Sequence, residues 1–336
     1  MINEFRQDLV SGEWVLFATG RAKRPGEPTA NGNGIRIGKN FEDCPFDDPE
    51  AKGNEVLMTY KNADGSDWFA KIIKNKFPAV SEGEMAPRQK VGPFEVTDAK
   101  GLHEILIFKD HNKSPYHLSP KEFSEIIRIY RDRYLTLAGY SGSKYILIFH
   151  NHGLAAGASI PHPHSQIITI PILPPDIKRS ILGSERFYRE NGKRVYDLML
   201  DWEMNDKKRI VAENDDFVAF CPFVSKTPYE VRIFGKESHA HFERIPDPKL
   251  QTLGEIMSKV MRKVSKALNA PDFNYFIHTA PTDGMSQDVH DFYAWHIEIL
   301  PKMKIEGAFE LGSGVEVNVV DPDEAAKLLR EAEVEN

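Results

Sequence analysis

Some segments of the chain have the hydrophobic pattern of strands and others that of amphipathic helices, and the order of these segments predicts a mixed fold of short strands and long helices. β-Branched and aromatic runs mark strands at 102–108, 145–149 and 167–170. Apolar residues three and four positions apart mark an amphipathic helix from Ser119 to about Gly139. The same patterns predict further strands within 66–80, 217–223, 230–234, 273–278 and 292–300, a hairpin within 6–17, and helices starting near 246 and 321.

The start of the first long helix has a clear local signal. Ser119 stands at the N-cap position, Pro120 at the first helical position and Glu122 at the third. Serine and glutamate in this spacing satisfy two backbone N–H groups reciprocally, and proline has no N–H to leave unpaired. The helix is therefore expected to begin at Pro120.

The order of elements repeats between the two halves of the chain. A strand ending in Phe occurs at 103–108 (HEILIF) and again at 229–234 (YEVRIF), 126 residues later. A long helix, a strand that starts with Tyr and a strand that ends in Pro follow in both halves, the two strands at a spacing of 130 residues. We therefore predict an α+β fold of two tandem units with antiparallel sheets flanked by helices, comprising residues 1–172, a connector at 173–212 and residues 213–336.

Composition and charge narrow the class of protein. The chain has 336 residues, of which 41% are hydrophobic and 28% charged, with a formal net charge of −7. This charge argues against a general nucleic-acid binder or a protein that binds anionic membranes. No apolar run approaches the 18 or so residues that a membrane-spanning helix needs, and the N-terminus has no signal-peptide pattern. Two cysteines, Cys44 and Cys221, exclude a disulfide framework and favour a reducing cytoplasm.

The stretch 145–171 carries the most specific chemistry. A strand leads into a loop with Gly153, Gly157 and Ser159, which delivers His162-Pro-His164 to a second strand. Glycines allow backbone N–H groups to approach an anion closely. Side chains two residues apart on an extended segment point to the same face, so both imidazoles would lie beside this loop. A surface hairpin with incidental histidines is the alternative interpretation.

A nucleophilic imidazole explains the pattern best. A neutral imidazole is a good nucleophile toward phosphorus, and Gln166 would share the face of His164. The Gln166 amide, the Ser159 hydroxyl and the Gly157 backbone can donate to phosphoryl oxygens where negative charge develops. The residues therefore predict nucleotidyl transfer through a covalent nucleoside monophosphate on His164, with Gln166 as the second catalytic residue.

The same histidines also allow a zinc hydrolase in which His162 and His164 are paired ligands. We favour divided roles. Cys44, His111 and His162, together with Asp47 or Asp48, offer a tetrahedral set of sulfur, nitrogen and oxygen donors for a structural Zn²⁺ ion. We take Asp47 as the fourth ligand. A histidine that follows a strand, as His111 does, can also be a cap or a surface residue.

Two other segments could meet a nucleotide. The cations Arg21, Lys23 and Arg24 precede a proline and form either a phosphate-directed arm or a solvated face. Asn75 and Phe77 stand at a strand end, where they could contact a base or, for Phe77, pack in the core.

Taken together, the motifs resemble one family. The chain contains D-x-x-x-G-x-W-V from Asp8, R-A-K-R-P from Arg21, Cys44-Pro-Phe, Asn75-Lys-Phe-Pro, Asp110-His111, N-x-G-x-x-x-G-x-S-x-P-H-P-H-x-Q from Asn151, Trp295-His-Ile-Glu and Phe309-Glu310. This ordered set resembles the galactose-1-phosphate uridylyltransferases of the histidine-triad superfamily over nearly the whole chain.

The resemblance implies two tandem histidine-triad-like domains, of which only the N-terminal one keeps the nucleophile and the zinc site. It implies a ping-pong enzyme that takes UMP from UDP-glucose onto His164 and passes it to galactose 1-phosphate. It also implies a homodimer with a site completed across the interface. The resemblance implies that the phosphates are bound by Asn151, Ser159, Gln166, Arg21 and Arg24. It implies that Asn75 and Phe77 contact the nucleoside and that Lys304, Phe309 and Glu310 lie on the hexose side.

Departures from the family pattern keep other functions open. Asp47 replaces the second cysteine of a C-x-x-C pair, and Ala158 replaces a cysteine before Ser159. His278, His296 and Glu298 are similar to part of a second metal site that some members have, but the fourth ligand falls near Ser180, so buried histidines with structural partners are expected there. The alternatives are a nucleoside-diphosphate-sugar phosphorylase resembling the ADP-glucose phosphorylases, a non-catalytic nucleotide-binding protein and a zinc-dependent hydrolase.

Overall fold

One ten-stranded antiparallel sheet organises the protein. The structure is a computed structural model that describes residues 2–23, 44–62, 64–284 and 289–334. Its strands are β1 Asn3–Gln7, β2 Trp14–Ala18, β3 Val56–Lys61, β4 Trp68–Lys74, β5 Gln89–Val91, β6 Phe94–Val96, β7 His103–Phe108, β8 Tyr145–His152, β9 His164–Ile170, β10 Ile210–Glu213, β11 Phe217–Phe220, β12 Val231–Gly235, β13 Phe273–His278, β14 His296–Pro301 and β15 Glu316–Asn318. The helices are α1 Pro120–Ala138, α2 Pro175–Asn191, α3 Val195–Asp206, α4 Asp247–Leu268, α5 Ala308–Ser313 and α6 Pro322–Glu331.

The strand order of the large sheet confirms the predicted repeat. The order is β10-β11-β12-β14-β13-β8-β9-β7-β4-β3. The sheet therefore divides between β13 and β8 into two sets of five strands. The strands of each set are connected in the same order along the chain, and α4 has the position in one set that α1 has in the other. The predicted α+β class with antiparallel sheets is correct. The division at residues 172 and 212 stays a prediction, and β10 begins at Ile210, inside the proposed connector.

Several boundaries differ from the sequence-based expectation for local reasons. The predicted hairpin strand at residues 6–10 ends at Gln7, because the Asp8 carboxylate accepts from the backbone N–H groups of Val10 and Ser11 and closes a turn. β3 was not predicted, because its side chains are mostly exposed and lack an apolar alternation. β15 was also missed, since it has three residues and pairs with β2.

Helices α1 and α4 cover one face of the sheet. The predicted capping box at Ser119 is present, with the Ser119 hydroxyl accepting from Glu122 N–H and the Glu122 carboxylate accepting from Ser119 N–H. The two helices approach closely at Gly254, where an added Cβ would lie 2.2 Å from the Ser124 hydroxyl and 2.5 Å from the Pro120 carbonyl oxygen. This contact joins the two halves of the chain through their equivalent helices.

The opposite face of the sheet is covered differently in the two halves. In the C-terminal half, α2 and α3 bury Val218, Phe220 and Phe234 in an apolar cluster. In the N-terminal half, the loop that carries Cys44 and Phe46 packs there instead. No helix among the described residues is long and apolar enough to cross a membrane.

The close approach of α1 and α4 yields a stability test. Gly254→Ala should lower the free energy of unfolding by about 1–3 kcal/mol, because the new methyl group overlaps Ser124 and the Pro120 carbonyl. Gly312→Ala is the matched control, since Gly312 also lies in a helix, with open space around it, and alanine favours helix by up to about 1 kcal/mol. Urea unfolding of both variants measures the difference. Equal stability of the two would contradict the packing described.

Candidate functional site

The predicted site residues of the N-terminal half lie on the sheet face opposite α1. His164 and Gln166 of β9 stand opposite Ile107 and Ile105 of β7. Directly opposite residues of an antiparallel pair share a face, and their neighbours alternate. Ser165 therefore points to the helix side. The prediction that His164 and Gln166 share a face is confirmed by this register.

Among the described residues, one ring nitrogen of His164 has a hydrogen-bond partner and the other has none. Its Nδ1 lies 2.8 Å from the carbonyl oxygen of His162, which can only accept, so Nδ1 carries the proton. In the neutral ring the lone pair is then on Nε2. Phe46 packs edge-on against the ring with centroids 5.2 Å apart. Burial lowers the pKa of His164, which favours the neutral form, although the bond to the His162 carbonyl acts in the opposite direction.

Gln166 is linked through His103 to the segment that follows β4. The Gln166 Oε1 lies 2.8 Å from Nε2 of His103. The other ring nitrogen, Nδ1, accepts from the backbone N–H of Ala79 at 3.1 Å. The Asn75 Nδ2 lies 3.3 Å from Nε2 of the same ring, and its Oδ1 accepts from Phe77 N–H. Asn75, His103 and Gln166 thus form one continuous row on the site face.

The glycine loop after β8 is held by the C-terminal half. Gly153 has φ +82°, and a Cβ there would lie 2.0 Å from the carboxyl carbon of Asp272. The Asp272 carboxylate accepts from Ala155 N–H at 2.8 Å. The Asn274 amide donates to Asn151 Oδ1 at 2.7 Å and to the Ala156 carbonyl at 2.8 Å. Gly153 is therefore required for the contact with Asp272, a reason that the sequence pattern did not reveal.

The four predicted metal ligands come together. The His111 Nδ1 and His162 Nδ1 atoms lie 3.1 Å apart, and Asp47 Oδ1 lies 2.7 Å from the first and 3.0 Å from the second. Cys44 Sγ lies 3.7 Å from His162 Nδ1. Donors around a tetrahedral Zn²⁺ ion are separated by about 3.3–3.8 Å, so this set is only slightly contracted. Asp48 caps Ala51 N–H instead, and His164 is outside the cluster.

The tautomer of His162 fits a metal ligand. Its Nε2 lies 2.5 Å from the Phe108 carbonyl oxygen, so Nε2 carries the proton and Nδ1 directs a lone pair into the cluster. A ligating histidine commonly donates its second N–H to a backbone carbonyl in this way. Burial lowers the pKa of His162, which also favours the neutral ring that a metal requires.

The C-terminal half holds a second group of three possible ligands, His278, His296 and Glu298. The Glu298 carboxylate is already paired with Arg232 at 3.0 Å, and Arg232 also contacts Glu230 at 2.9 Å. Burial opposes ionisation of Glu298, but the charge of Arg232 outweighs it and lowers the pKa of that carboxyl. Arg232 therefore supplies, next to Glu298, the positive charge that a metal ion would otherwise supply. This agrees with the expectation that these histidines have structural partners.

The remaining predicted residues have fewer contacts. Arg21 and Ser159 are exposed, and Arg24 lies outside the described residues. Phe77 is 90% exposed and is not a core residue. The Lys304 ammonium group contacts Glu316 and the Val317 carbonyl, and Glu310 accepts from Gly307 N–H.

Phe309 is half-exposed on α5. Among the described residues, the hydrogen bonds and ring contacts do not connect Lys304, Phe309 or Glu310 to β9. Their predicted role on the hexose side stays a prediction.

Sequence reasoning missed His103, Asp272 and Asn274. His103 is the first residue of β7, but its contact with Gln166 depends on the pairing of β7 with β9, which no local pattern specifies. Asn274 reaches the glycine loop because β13 pairs with β8, with Asn274 directly opposite Asn151. The repeat matched strands of the two halves by their residue pattern. It did not indicate that the halves are joined by pairing of β8 with β13.

Comparisons with known proteins agree with the geometry. The N-terminal domain model of galactose-1-phosphate uridyl transferase matches residues 2–174. An ADP-glucose phosphorylase of Arabidopsis thaliana is 29% identical over 98% of this chain and 92% of its own length. A galactose-1-phosphate uridylyltransferase of Thermotoga maritima is 29% identical over 99% of both chains.

Solved structures show the same architecture. The crystal structure of an ADP-glucose phosphorylase from Arabidopsis thaliana with bound ADP-glucose has a TM-score of 0.82 at 28% identity, and the match covers 99% of this chain and 100% of that one. A uridylyltransferase structure has a TM-score of 0.73 at 22% identity over 98% of both chains, which supports the fold alone.

Two histidines of β8, the buried His150 and the half-buried His152, predict a pH dependence of stability. Burial lowers the pKa of His152 from 6.5 to about 4, and its ring stacks on Phe273. The unfolded chain therefore binds more protons than the folded chain between about pH 6.5 and pH 4, so the free energy of unfolding should fall as the pH falls through that window. His152→Phe should reduce this slope, although His150 still contributes to it, since burial lowers its pKa as well.

Denaturant unfolding of wild type and His152→Phe at several pH values measures the effect. Identical slopes in the two proteins between pH 6.5 and pH 4 would contradict the assignment.

Proposed function

The chain belongs to the galactose-1-phosphate uridylyltransferase family and is a nucleotidyltransferase, and on that premise we propose that it works through a covalent nucleotide on His164. The observation that carries the proposal is the orientation of the His164 ring. Nδ1–H donates to the His162 carbonyl, which leaves the Nε2 lone pair available to a phosphorus atom.

In the first step, Nε2 of His164 attacks the α-phosphorus of a nucleoside-diphosphate sugar. The bond from that phosphorus to the bridging oxygen breaks, and the sugar 1-phosphate leaves with the electron pair. The phosphorylated ring becomes cationic, and its Nδ1–H stays bonded to the His162 carbonyl oxygen, which stabilises the charge. In the second step, a phosphate oxygen of the acceptor attacks the same phosphorus and the nitrogen–phosphorus bond breaks.

Negative charge on the phosphoryl oxygens is stabilised by donors on the same sheet face. The Gln166 amide stands two residues from the nucleophile, Asn151 lies near the end of β8, and Gly157 and Ser159 lie in the loop that follows β8. Asn274 holds Asn151 by its Oδ1, so the Asn151 NH₂ group is the end left to donate to phosphate. Asn75 and Phe77 are the proposed nucleoside contacts, and Arg21 and Arg24 the proposed phosphate contacts of the N-terminal arm.

For the substrates, we propose UDP-glucose as nucleotide donor and galactose 1-phosphate as acceptor, with Lys304, Phe309 and Glu310 on the hexose side. The match to a Thermotoga maritima galactose-1-phosphate uridylyltransferase over 99% of both chains supports this. A nucleoside-diphosphate-sugar phosphorylase with inorganic phosphate as acceptor is the second candidate. Its support is the higher TM-score of the ADP-glucose phosphorylase structure, 0.82 against 0.73 for the uridylyltransferase.

We also propose a structural Zn²⁺ ion held by Cys44, Asp47, His111 and His162. The ion would supply no chemistry to the transfer itself and would hold the loop that carries Phe46 against β7 and β9. Two further proposals follow the family pattern. One is a homodimer, supported by large exposed apolar side chains such as Ile305, at 90% exposure. The other is a cytoplasmic location, supported by two buried free cysteines.

The nucleophile can be tested by mass spectrometry of the intact protein. After incubation with base-labelled UDP-glucose, wild type should gain one acid-labile UMP, and peptide mapping should place it on His164. His164→Asn should form no adduct, whereas His117→Asn should match wild type, because His117 is exposed and lies outside the site. An adduct on His164→Asn, or none on wild type, would refute the proposal.

The same adduct separates the candidate activities. Parallel incubations with UDP-, ADP- and GDP-sugars identify the base that the site accepts. Discharge of the purified adduct by galactose 1-phosphate supports the uridylyltransferase, and discharge by inorganic phosphate alone supports the phosphorylase. A non-catalytic binding protein would bind nucleotide without forming any adduct.

The zinc proposal predicts a specific loss in Asp47→Ala. This variant should carry less zinc per chain by elemental analysis and should unfold at a lower temperature, because one ligand is missing. Asp48→Ala is the matched control, since Asp48 contacts Ala51 N–H and not the cluster. In wild type, removal of zinc by a chelator should reduce adduct formation only gradually, as the fold loosens. Immediate loss of activity on chelation would favour a zinc-dependent hydrolase instead.

A further inference from the structure

We infer that His103 is a positioning residue that sets which end of the Gln166 amide faces the transferred phosphoryl group. The inference rests on the proposed nucleotidyl transfer through His164. His103 begins β7, next to β9, and its side chain lies diagonally across the pair from Gln166. The role follows from the hydrogen bonds of its two ring nitrogens.

The tautomer of His103 is determined by a backbone donor. Nδ1 lies 3.1 Å from the backbone nitrogen of Ala79, and a peptide N–H can only donate. Nδ1 must therefore present its lone pair, and the single proton of the neutral ring is on Nε2. The opposite tautomer would place two N–H groups against each other. Asn75 Nδ2 lies 3.5 Å from Nδ1 and 3.3 Å from Nε2, so at each ring nitrogen the shorter contact is the one to Ala79 or to Gln166.

The tautomer in turn orients Gln166. Nε2–H of His103 needs an acceptor, and the Gln166 atom 2.8 Å away must therefore be the carbonyl oxygen Oε1. This leaves the NH₂ end of the amide without another hydrogen bond among the described residues, available to donate to a phosphoryl oxygen. The half-buried His103 ring thus determines the orientation of the Gln166 amide through the polarity of their hydrogen bond and not through the shape of the amide.

Orientation matters because the two ends of a glutamine amide have nearly the same size and opposite polarity. An amide turned by 180° would direct its oxygen at a phosphoryl oxygen and would repel the charge that develops there. Loss of His103 should therefore slow phosphoryl transfer more than it weakens binding of the nucleotide sugar. Among the described residues, Gln166 is the β9 residue with which the His103 side chain shares a hydrogen bond.

The test is a double-mutant cycle measured as the single-turnover rate of adduct formation on His164. His103→Leu should slow the rate roughly tenfold, less than the 10²–10³ typical of deleting a donor outright. His103→Gln, whose NH₂ group can replace Nε2–H, should stay within about threefold of wild type. In a Gln166→Ala background, His103→Leu should change the rate by less than about twofold, since no amide remains to orient.

Two kinetic outcomes would overturn the inference. One is an equal effect of His103→Leu with and without Gln166. The other is a His103→Gln variant as slow as His103→Leu, which would indicate a packing role. Dissociation constants for UDP-glucose, measured by calorimetry, should change little across the set; a loss of binding equal to the loss of rate would also contradict the inference.

A second measurement does not depend on activity. In wild-type protein labelled with ¹⁵N-histidine, the His103 signal, assigned by its absence in His103→Gln, should show a proton on Nε2 and none on Nδ1. A proton on Nδ1 would overturn the inference whatever the kinetics. If wild type forms no adduct while His103 has the expected tautomer, the proposed function fails and the orientation of Gln166 stands.

Discussion

The alternation of side chains along β9 is the constraint on which the site depends. Even-numbered residues, His164 and Gln166, face the site, and odd-numbered residues face α1. On the helix side the Ser165 hydroxyl lies 2.5 Å from Tyr130 OH and 3.0 Å from His150 Nδ1. Tyr130 also contacts Tyr275 OH at 2.7 Å. A slip of one residue would turn the nucleophile towards α1 and break this network, so the pairing register of β9 is strongly specified.

The metal cluster and the nucleophile are held by adjacent residues of the same segment. His162 directs Nδ1 to Asp47 and His111, and its carbonyl oxygen accepts from His164. One residue therefore connects the loop at Cys44 to the ring that is proposed to carry the nucleotide. This arrangement explains how two histidines only two positions apart can have unlike surroundings and unlike roles.

The C-terminal half supports the site of the N-terminal half without repeating it. Its strand β13 pairs with β8, which allows Asp272 and Asn274 to hold the glycine loop. On its own site face, α2 and α3 cover the sheet, and Arg232 neutralises Glu298 in the interior. The duplication therefore supplies an equivalent frame whose site face is covered by a loop in one half and by helices in the other.

The amino-acid sequence by itself determined the repeat, the long helices, the capping box and the motif around His164, because these depend on periodicity and on neighbours within a few residues. It also indicated the donor types that could hold a metal. The tertiary structure alone decided which ring nitrogen of His162 and of His164 carries the proton, since these positions follow from the carbonyls of Phe108 and His162. Pairing between distant strands brought His103 to Gln166 and Asn274 to Asn151, and such long-range contacts leave no local pattern in the sequence.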